Sequence, residues 1–514
     1  MADRPGIGWP NLLARRAFLR LAGATTLATG AGPAAVKESS SAASEGSRQG
    51  SAATATPKIW IGAFEVKHVW GYADKHSVAP AEGFDLMLST GPDQEPASGR
   101  VEFFRIGHHP PEGHKSVWTS EQVTVSSQPV SRSASAIGAG WPPTLHDIDT
   151  KNWPPGYYSA DFVHASGMRD LQIAQIVVLN PRRSGQVLVR LGTNTYQAYT
   201  AWGGHSLYPT GDESQRGNAV SFDRPSWPEF FTYDVYLARW LEALGQREGF
   251  AVDYATNFDV YRNPDLIAAY PLVISGSHDE YWSKEEFDAF ERRIFTLGRN
   301  TAFFGANAAY FQVRYGDLDR PPGGTDRGRI LVCYKRLTDP IVRRESASNP
   351  LLLATTYFRE EGRRPESMLM GVAYQGWFQP GPDDIPRYPY LVARTDLPFF
   401  SGTGLQPGDV AADVVGYEWD NRDPDGDSRR LWQSGRSLNR SLPLESIQVL
   451  FRGAPVDNDG KQGLAEAVYF ESPAGARVFS AGSIRWAWGL GKPGFEREPF
   501  KRFNENLVKA LLNR

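Results

Sequence analysis

From residue 184 onward, short apolar runs alternate with stretches of helical periodicity. Val187–Leu191 and Leu272–Ser275 are apolar runs of strand length. We expect residues 194–208 to form a loop after the first run, while residues 233–244 and 287–297 carry apolar residues at the helical spacings of three and four. Strands that alternate with helices form parallel sheets, because each crossover returns the chain to the same edge. The pattern predicts an α/β fold with a doubly wound parallel sheet over residues 184–514, interrupted by a loop-rich insertion at about residues 315–413.

Residues 59–183 follow a different pattern. Short alternating runs are separated by Pro and Gly, and no long window has helical periodicity. This is typical of an antiparallel β-sandwich, which we expect to precede the α/β domain. Tyr157 and Tyr158 follow the turn Trp153-Pro-Pro-Gly156. A sandwich often has a corner tyrosine that bonds to the backbone, which is one interpretation of this pair.

Residues 1–58 predict an export signal and a linker. Arg15 and Arg16 precede Phe18, Leu19 and a basic residue, as in twin-arginine signals. The apolar stretch that follows is too short and too rich in Gly and Ala to span a bilayer, and residues 37–57 lack the apolar area for a core. We expect export by the twin-arginine route to the periplasm or the medium, with no membrane span in the mature chain. The alternative is a chance arginine pair in a disordered tail.

The composition excludes several function classes. A net charge of -3 gives no basis for binding nucleic acid. The single cysteine, Cys333, can form no intramolecular disulfide and rules out a cysteine-rich zinc site. The segment Ser275-Gly-Ser-His-Asp279 lacks the G-x-S-x-G pattern of serine hydrolases. Since the chain has 21 Tyr but only nine His, oxygen atoms are the metal ligands in good supply.

A polar cluster follows the apolar run at residues 272–275. It contains His278, Asp279 and Glu280, and Ser283 and Glu286 then have the spacing of a helix capping box. Ligands of open α/β sheets bind beyond the carboxyl ends of the strands, which is where this cluster lies. In an extended turn His278 and Glu280 would point to one side. The alternative is that the two acids merely favour a helix N-terminus.

Five segments together resemble a known family: Asn194-Thr-Tyr-Gln-Ala-Tyr199, Trp202-Gly-Gly204, His278-Asp-Glu-Tyr-Trp282, Phe304-Gly-Ala-Asn307 and Ile484-Arg-Trp-Ala-Trp488. They are similar to the large subunit of N,N-dimethylformamidase and its C-terminal domain family, over roughly residues 150–510. The resemblance implies a glutamine-amidotransferase-like α/β fold without the amidotransferase nucleophile, a small amide substrate, and a partner in the form of a small subunit or a second copy.

The resemblance also implies a mononuclear ferric iron held by Tyr158, Tyr199 and Glu280. Ferric iron is a hard cation, and two phenolates with one carboxylate are hard anionic ligands. Residues that handle the substrate or its protons would be His278, Asn307 and Glu418.

Two function classes remain open on the sequence. The first is an exported iron-dependent hydrolase acting on a small amide or related C–N bond. The second is a non-catalytic extracytoplasmic protein whose aromatic loops bind a carbohydrate or another polymer. The histidine-rich loop at residues 108–114 and the acidic stretches at residues 423–427 and 457–460 are interpreted as solvated loops and turns, because none has full metal-ligand spacing.

Overall fold

The structure is a computed structural model. It describes residues 67–209, 215–227, 229–316, 328–335, 338–343, 354–359, 364–379, 386–422 and 446–513. The predicted export signal and linker at residues 1–58 and the acidic turn at residues 423–427 lie outside these ranges.

The strands of the first half are β1 Val69–Ala73, β2 Ser77–Val78, β3 Phe84–Thr90, β4 Ala97–Ile106, β5 His114–Thr119, β6 Val123–Val125, β7 Leu145–Ile148, β8 Gly156–His164 and β9 Arg169–Val178. The later strands are β10 Val187–Leu191, β11 Ala219–Ser221, β12 Val252–Thr256, β13 Leu272–Ser275, β14 Tyr281–Ser283, β15 Asn300–Phe303, β16 Phe311–Tyr315, β17 Ile330–Val332, β18 Ala373–Trp377, β19 Tyr388–Val392, β20 Val410–Val415, β21 Glu418–Asn421, β22 Gln448–Gly453, β23 Ala465–Glu471 and β24 Arg477–Ser480.

The helices are α1 Ala134–Ile137, α2 Thr193–Tyr199, α3 Asp234–Glu248, α4 Asn257–Arg262, α5 Asp265–Ala268, α6 Lys284–Phe295, α7 Ser367–Met370, α8 Trp488–Gly491 and α9 Glu498–Leu511. Short 3₁₀ turns are found at Glu229–Phe231, Pro340–Arg343, Pro398–Phe400 and Ile484–Ala487.

Strands β1 to β9 form two sheets with an apolar core between them. One sheet has the order β1-β3-β7, and the other has the order β2-β9-β8-β4-β5 with β6 on β4. Leu86 and Leu88 of the first sheet share a buried cluster with Val101, Phe103 and Phe162 of the second. This arrangement is compatible with the predicted β-sandwich.

The largest sheet has nine strands, in the order β12-β10-β13-β15-β24-β23-β22-β19-β20. The pairs from β12 to β24 are parallel. The pairs from β24 to β20 are antiparallel. Strand β24 therefore joins a parallel half to an antiparallel half.

The predicted doubly wound parallel sheet of the glutamine-amidotransferase type is wrong. Strands hold 34% of the described residues and helices 22%, so this part of the chain is rich in β-structure, and its sheets are mixed. The physical reason lies after β15. Between β15 and β24 the described residues contain no helix longer than the four residues of α7, whereas parallel crossovers usually need a longer one, and β22, β23 and β24 pair as antiparallel neighbours. Strands β19 and β20 come from the segment predicted as a loop-rich insertion; the domain boundaries themselves stay a prediction.

Helices cover both faces of the nine-stranded sheet. On one face, Leu241 of α3 and Phe503 of α9 pack with Val189 of β10. On the other, Phe290 of α6 packs with Leu188 of β10. Neighbouring strand residues point to opposite faces, so each buried strand is apolar on both sides. Among the described helices, none combines the length and the apolar character that crossing a membrane requires.

Helix α6 begins at the predicted capping box. The Ser283 hydroxyl accepts from the Glu286 N–H, and the Glu286 carboxylate accepts from the Ser283 N–H. The prediction of this helix start is confirmed. Because β14 ends at Ser283, the cap also fixes the end of the segment that carries the predicted site residues.

Candidate active site

Glu280 lies at the centre of the candidate site, between β13 and β14. The residue is 1% exposed. Its N–H donates to Oγ1 of Thr195 at 2.9 Å, and its carbonyl accepts from the N–H groups of Tyr310 and Phe311 at 2.9 and 3.0 Å. These bonds hold the carboxylate beyond the end of a parallel strand, where ligands of such sheets bind.

Two phenols donate to this one carboxylate. Tyr199, the last residue of α2, donates to Oε2 of Glu280 at 2.7 Å, and Tyr208 donates to Oε1. The two phenol oxygens are 3.1 Å apart. We call Tyr199, Tyr208 and Glu280 the tyrosine–glutamate cluster. In this cluster two phenol oxygens and two carboxylate oxygens lie in contact and are mostly buried.

A cation lies against this cluster. Nζ of Lys335 is 3.5 Å from the ring centroid of Tyr208 and 4.3 Å from that of Phe311. The residue is 6% exposed. This ammonium places positive charge beside the oxygen atoms of the cluster.

His278 lies next to the cluster and contacts a second carboxylate. Its Nδ1 is 2.6 Å from Oε2 of Glu229, so Nδ1 carries a proton and donates it to this carboxylate. Its Nε2 is 3.7 Å from Glu280 and 3.6 Å from Glu418. His278 and Glu280 therefore lie on one side of the turn, as their two-residue spacing predicts.

The carboxylates around His278 control its charge. Burial lowers its pKa, but Glu229, Glu418 and Glu280 outweigh that effect and raise the pKa to about 9. The buried Nε2 has no hydrogen-bond partner among the described residues. This nitrogen therefore faces two acids at a distance that leaves it free to bond to a small molecule.

Asn307 and Glu418 are paired beside this histidine. Nδ2 of Asn307 donates to Oε2 of Glu418 at 2.8 Å, and the Asn307 N–H donates to Asp420 at 2.9 Å. Asn307 has φ +53°, a conformation that Asn tolerates better than most residues. Burial raises the pKa of the Asp420 carboxyl to about 8, although the Asn307 N–H opposes this. Asn307 Oδ1 is buried and lacks a hydrogen-bond partner among the described residues.

Asp279 points away from the cluster into a buried ion pair. Its carboxylate contacts Arg190, and both side chains are fully buried. The Arg190 guanidinium also lies 4.5 Å from the ring centroid of Trp282. Asp279 thus holds the turn in place through Arg190 of β10, on the side away from the site, while its neighbours His278 and Glu280 face the site.

Tyr158, one of the three iron ligands implied by the resemblance, is not brought to this site. Its hydroxyl donates to the carbonyl of Pro154, and its ring packs on Trp153 with centroids 4.8 Å apart. Burial raises the pKa of its phenol well above the ordinary value, although Arg105 opposes this. Tyr158 belongs to the core of the sandwich, which fits the corner-tyrosine interpretation. The tyrosine that joins Tyr199 and Glu280 is Tyr208.

Sequence reasoning missed Tyr208 and Glu229. Tyr208 ends the aromatic stretch that starts at Asn194, so its position in that stretch was the available signal. Glu229 follows Trp227-Pro228 and has no motif that would have marked it. The stretch at residues 194–199 was expected to be loop, but it forms helix α2.

The donors at this site are unusual for a metal centre. In the described part of the chain, no group of three or more His, Cys, Asp and Glu side chains is placed to hold a metal ion. A metal at the tyrosine–glutamate cluster would therefore depend on phenol oxygens. Two phenols and a carboxylate in mutual contact fit a hard trivalent cation better than a soft one.

Comparison with known proteins gives one family and one curated relative. A family model described as N,N-dimethylformamidase beta subunit-like, C-terminal matches residues 100–499. The N,N-dimethylformamidase beta subunit of Paracoccus aminophilus is 24% identical over 304 residues, which cover 54% of this chain and 36% of that protein. The chain thus spans about a third of the length of this relative.

A solved structure also matches, but weakly. A cycloisomaltooligosaccharide glucanotransferase of Paenibacillus sp., complexed with cycloisomaltoheptaose, is 9% identical over 51% of this chain and 58% of that chain. The TM-score is 0.16, which is too low to establish a shared fold.

Proposed function

Because the chain belongs to the N,N-dimethylformamidase beta subunit-like, C-terminal family, we propose that it hydrolyses the C–N bond of a small amide at the tyrosine–glutamate cluster. The family predicted from the sequence motifs is confirmed by this match. The observation that carries the proposal is that two phenols donate to the two oxygens of one buried carboxylate, beside a buried histidine.

Tyr199, Tyr208 and Glu280 would together hold a single ferric ion. Two phenolates and a carboxylate carry three negative charges, which match the charge and hardness of Fe³⁺. The free phenol pKa is about 10, so binding would displace both phenol protons. An ion held there supplies Lewis acidity toward an amide carbonyl oxygen.

His278 would hold and deliver a proton. Its Nδ1–H bond to Glu229 sets the ring orientation and turns Nε2 toward Glu418 and Glu280. An amine that leaves an amide needs a proton as the C–N bond breaks, and a positioned imidazole is a common donor. Nε2 of His278 faces Glu280 and Glu418 and can supply this proton.

Asn307 and Glu418 would orient the substrate and accept a proton. Asn307 donates to Glu418, which keeps one carboxylate oxygen pointed at the histidine side of the site. Oδ1 of Asn307 can accept from an amide N–H or from water. Glu418 can take the proton of an attacking water, because it lies 3.6 Å from His278 Nε2 and can pass the proton on.

The experiment compares the same substitution, Tyr to Phe, at two positions of the fold. Tyr208→Phe removes a phenol from the cluster, whereas Tyr158→Phe removes a phenol from the sandwich core. The purified wild-type protein should hold one iron per chain and absorb visible light through phenolate-to-iron charge transfer. Tyr208→Phe should lose iron and colour, and Tyr158→Phe should keep both.

Activity is measured on the same proteins with formamides and other small amides. Iron-loaded wild-type protein should release carboxylate and amine, and Glu280→Gln should be inactive. If Tyr208→Phe keeps its full iron content and Tyr158→Phe loses iron, the assignment of the metal site to the tyrosine–glutamate cluster is wrong. Stoichiometric iron without hydrolysis of any amide would contradict the amidase proposal and keep the metal site.

We also propose that the chain assembles with a small subunit or with a second copy. The relative from Paracoccus aminophilus is named as a beta subunit, and that name is the support for the proposal. Size-exclusion chromatography with light scattering checks it on the protein purified from its natural host. The mass of a single chain under all conditions would contradict assembly.

A further inference from the structure

Arg224 is a fully buried arginine whose five N–H donors all go to backbone carbonyls. Nη1 donates to Trp202 and His205, Nη2 to Gln197 and Thr200, and Nε to Ser221. A guanidinium has five N–H groups in one plane, so this set uses all of them. No carboxylate contacts the Arg224 side chain within the described residues.

Four of these carbonyls belong to one segment, residues 197–205. It starts in the last turn of α2 and leads to Tyr208. The last carbonyls of a helix have no partner within the helix, so Arg224 supplies the missing donors. The Leu207 N–H then donates to Ala198 at 2.9 Å, which folds the loop back on the helix. Tyr199 and Tyr208 are thereby brought side by side.

The buried charge of Arg224 restricts the backbone conformation of residues 197–205. Burial lowers the pKa of Arg224 to about 9, since no acid offsets the loss of water. A charge is tolerated inside a protein only when its donors are bonded. If the segment moved, several N–H groups would lose their carbonyls at once, so one arrangement of the loop is strongly favoured over others.

We propose that Arg224 is a positioning residue that sets the distances from the Tyr199 and Tyr208 hydroxyls to the Glu280 carboxylate. The inference rests on the proposed function, because this spacing matters to catalysis only if both phenols bind the ion. Lysine cannot replace Arg224, since its three donors sit on one atom and cannot reach five carbonyls in a plane.

The chain contains a matched control in Arg293 of α6. It is also fully buried, its pKa is also lowered to about 9 by burial, and its guanidinium bonds mainly to carbonyls. Nη1 donates to Ile267 and Tyr270, and Nη2 to Pro271 and Asn300. Those carbonyls lie at or just before the starts of β13 and β15, at the opposite end of the strands from Glu280.

The experiment compares Arg224→Lys with Arg293→Lys in the full chain. Both should lower the melting temperature. Hydrogen–deuterium exchange of peptides covering residues 196–209 should become faster only in Arg224→Lys, and this measurement needs no iron. On iron-loaded protein, Arg224→Lys should release iron about tenfold faster or more. The loss of one hydrogen bond to a charged group corresponds to about a tenfold change in an equilibrium or rate constant. The visible band of this variant should also shift.

The outcomes separate this inference from the proposed function. Equal exchange and equal iron release in the two variants would overturn the positioning role of Arg224. A wild-type protein without iron would remove the metal site, while the exchange comparison would still decide whether Arg224 holds the loop. If Arg224→Lys does not fold, Arg224→Gln replaces it. If neither folds, wild-type peptides at residues 196–209 and 220–226 should open together in mild urea, and separate opening would refute the link.

Discussion

Replacing Asp279 by Asn removes the charge from a buried ion pair beneath the site while keeping the volume of the side chain. Asp279 contacts Arg190, and it also accepts from the Ser275 hydroxyl at 2.6 Å. Both charged side chains are fully buried. Asn in this position leaves the Arg190 guanidinium without its closest counter-ion.

The structure sets the expected size of the effect. Removing one partner of a buried ion pair costs about 3–5 kcal/mol, because the other charge stays buried. A second acid, Glu286, lies 4.0 Å from Arg190. Burial raises the pKa of Glu286 to about 8, although Arg190 opposes this, so its carboxyl is mostly protonated at pH 7. It can ionise once Asp279 is neutral, and we therefore expect the lower part of the range, about 3 kcal/mol.

The assay is urea unfolding of the metal-free protein at pH 7, followed by circular dichroism. Glu286→Gln is the matched control at the same arginine. It replaces a mostly neutral group and removes no counter-ion, so it should not destabilise the protein; because the unfolded chain then no longer gains from ionising residue 286, the unfolding free energy at pH 7 should rise. A cost below about 1 kcal/mol for Asp279→Asn, or equal costs for the two variants, would refute the assignment of Asp279 as the main counter-ion of Arg190.

Three further predictions concern other parts of the chain. The folded pKa of Glu286, about 8, lies above its ordinary value of 4.5, so its contribution to stability is complete below pH 4.5 and is lost as pH rises through 8. Glu286→Gln should therefore flatten the pH dependence of the unfolding free energy by about 1.4 kcal/mol per pH unit in urea titrations between pH 5.5 and 7.5. Ser283→Ala should cost about 1 kcal/mol in the same assay, through loss of the helix cap; an unchanged value would contradict the capping role. Changing Arg15 and Arg16 together to Lys should leave the protein in the cytoplasm on cell fractionation, whereas normal export would contradict the twin-arginine proposal.

Features that depend on neighbouring residues could be predicted from the sequence. The capping box joins Ser283 to Glu286, three positions apart, and the structure contains it. The spacing of His278 and Glu280 placed both side chains on one side of a turn. Each of these rests on backbone geometry over a few residues, which the sequence contains directly.

Features that depend on distant contacts could not be predicted. Tyr208 reaches Glu280 across 72 positions, and Glu229 reaches His278 across 49. Tyr158 and Tyr208 are both tyrosines in turn-rich segments, and only the packing of the sandwich separates their roles. The antiparallel half of the large sheet was missed for the same reason, because strand direction is decided by pairing and connection rather than by local pattern.

The position of β24 has a consequence for how the molecule folds. This strand is made after all the other strands described here, yet it lies in the middle of the sheet, where Thr301 of β15 pairs with Val478. Until residues 477–480 have been synthesised, β15 and β23 each have an unpaired edge. Unpaired edges promote aggregation, and contacts between residues so far apart in sequence form slowly. The central sheet therefore closes only after residues 477–480 are available, so a ribosome-bound chain that lacks β24 should depend on chaperones to stay soluble.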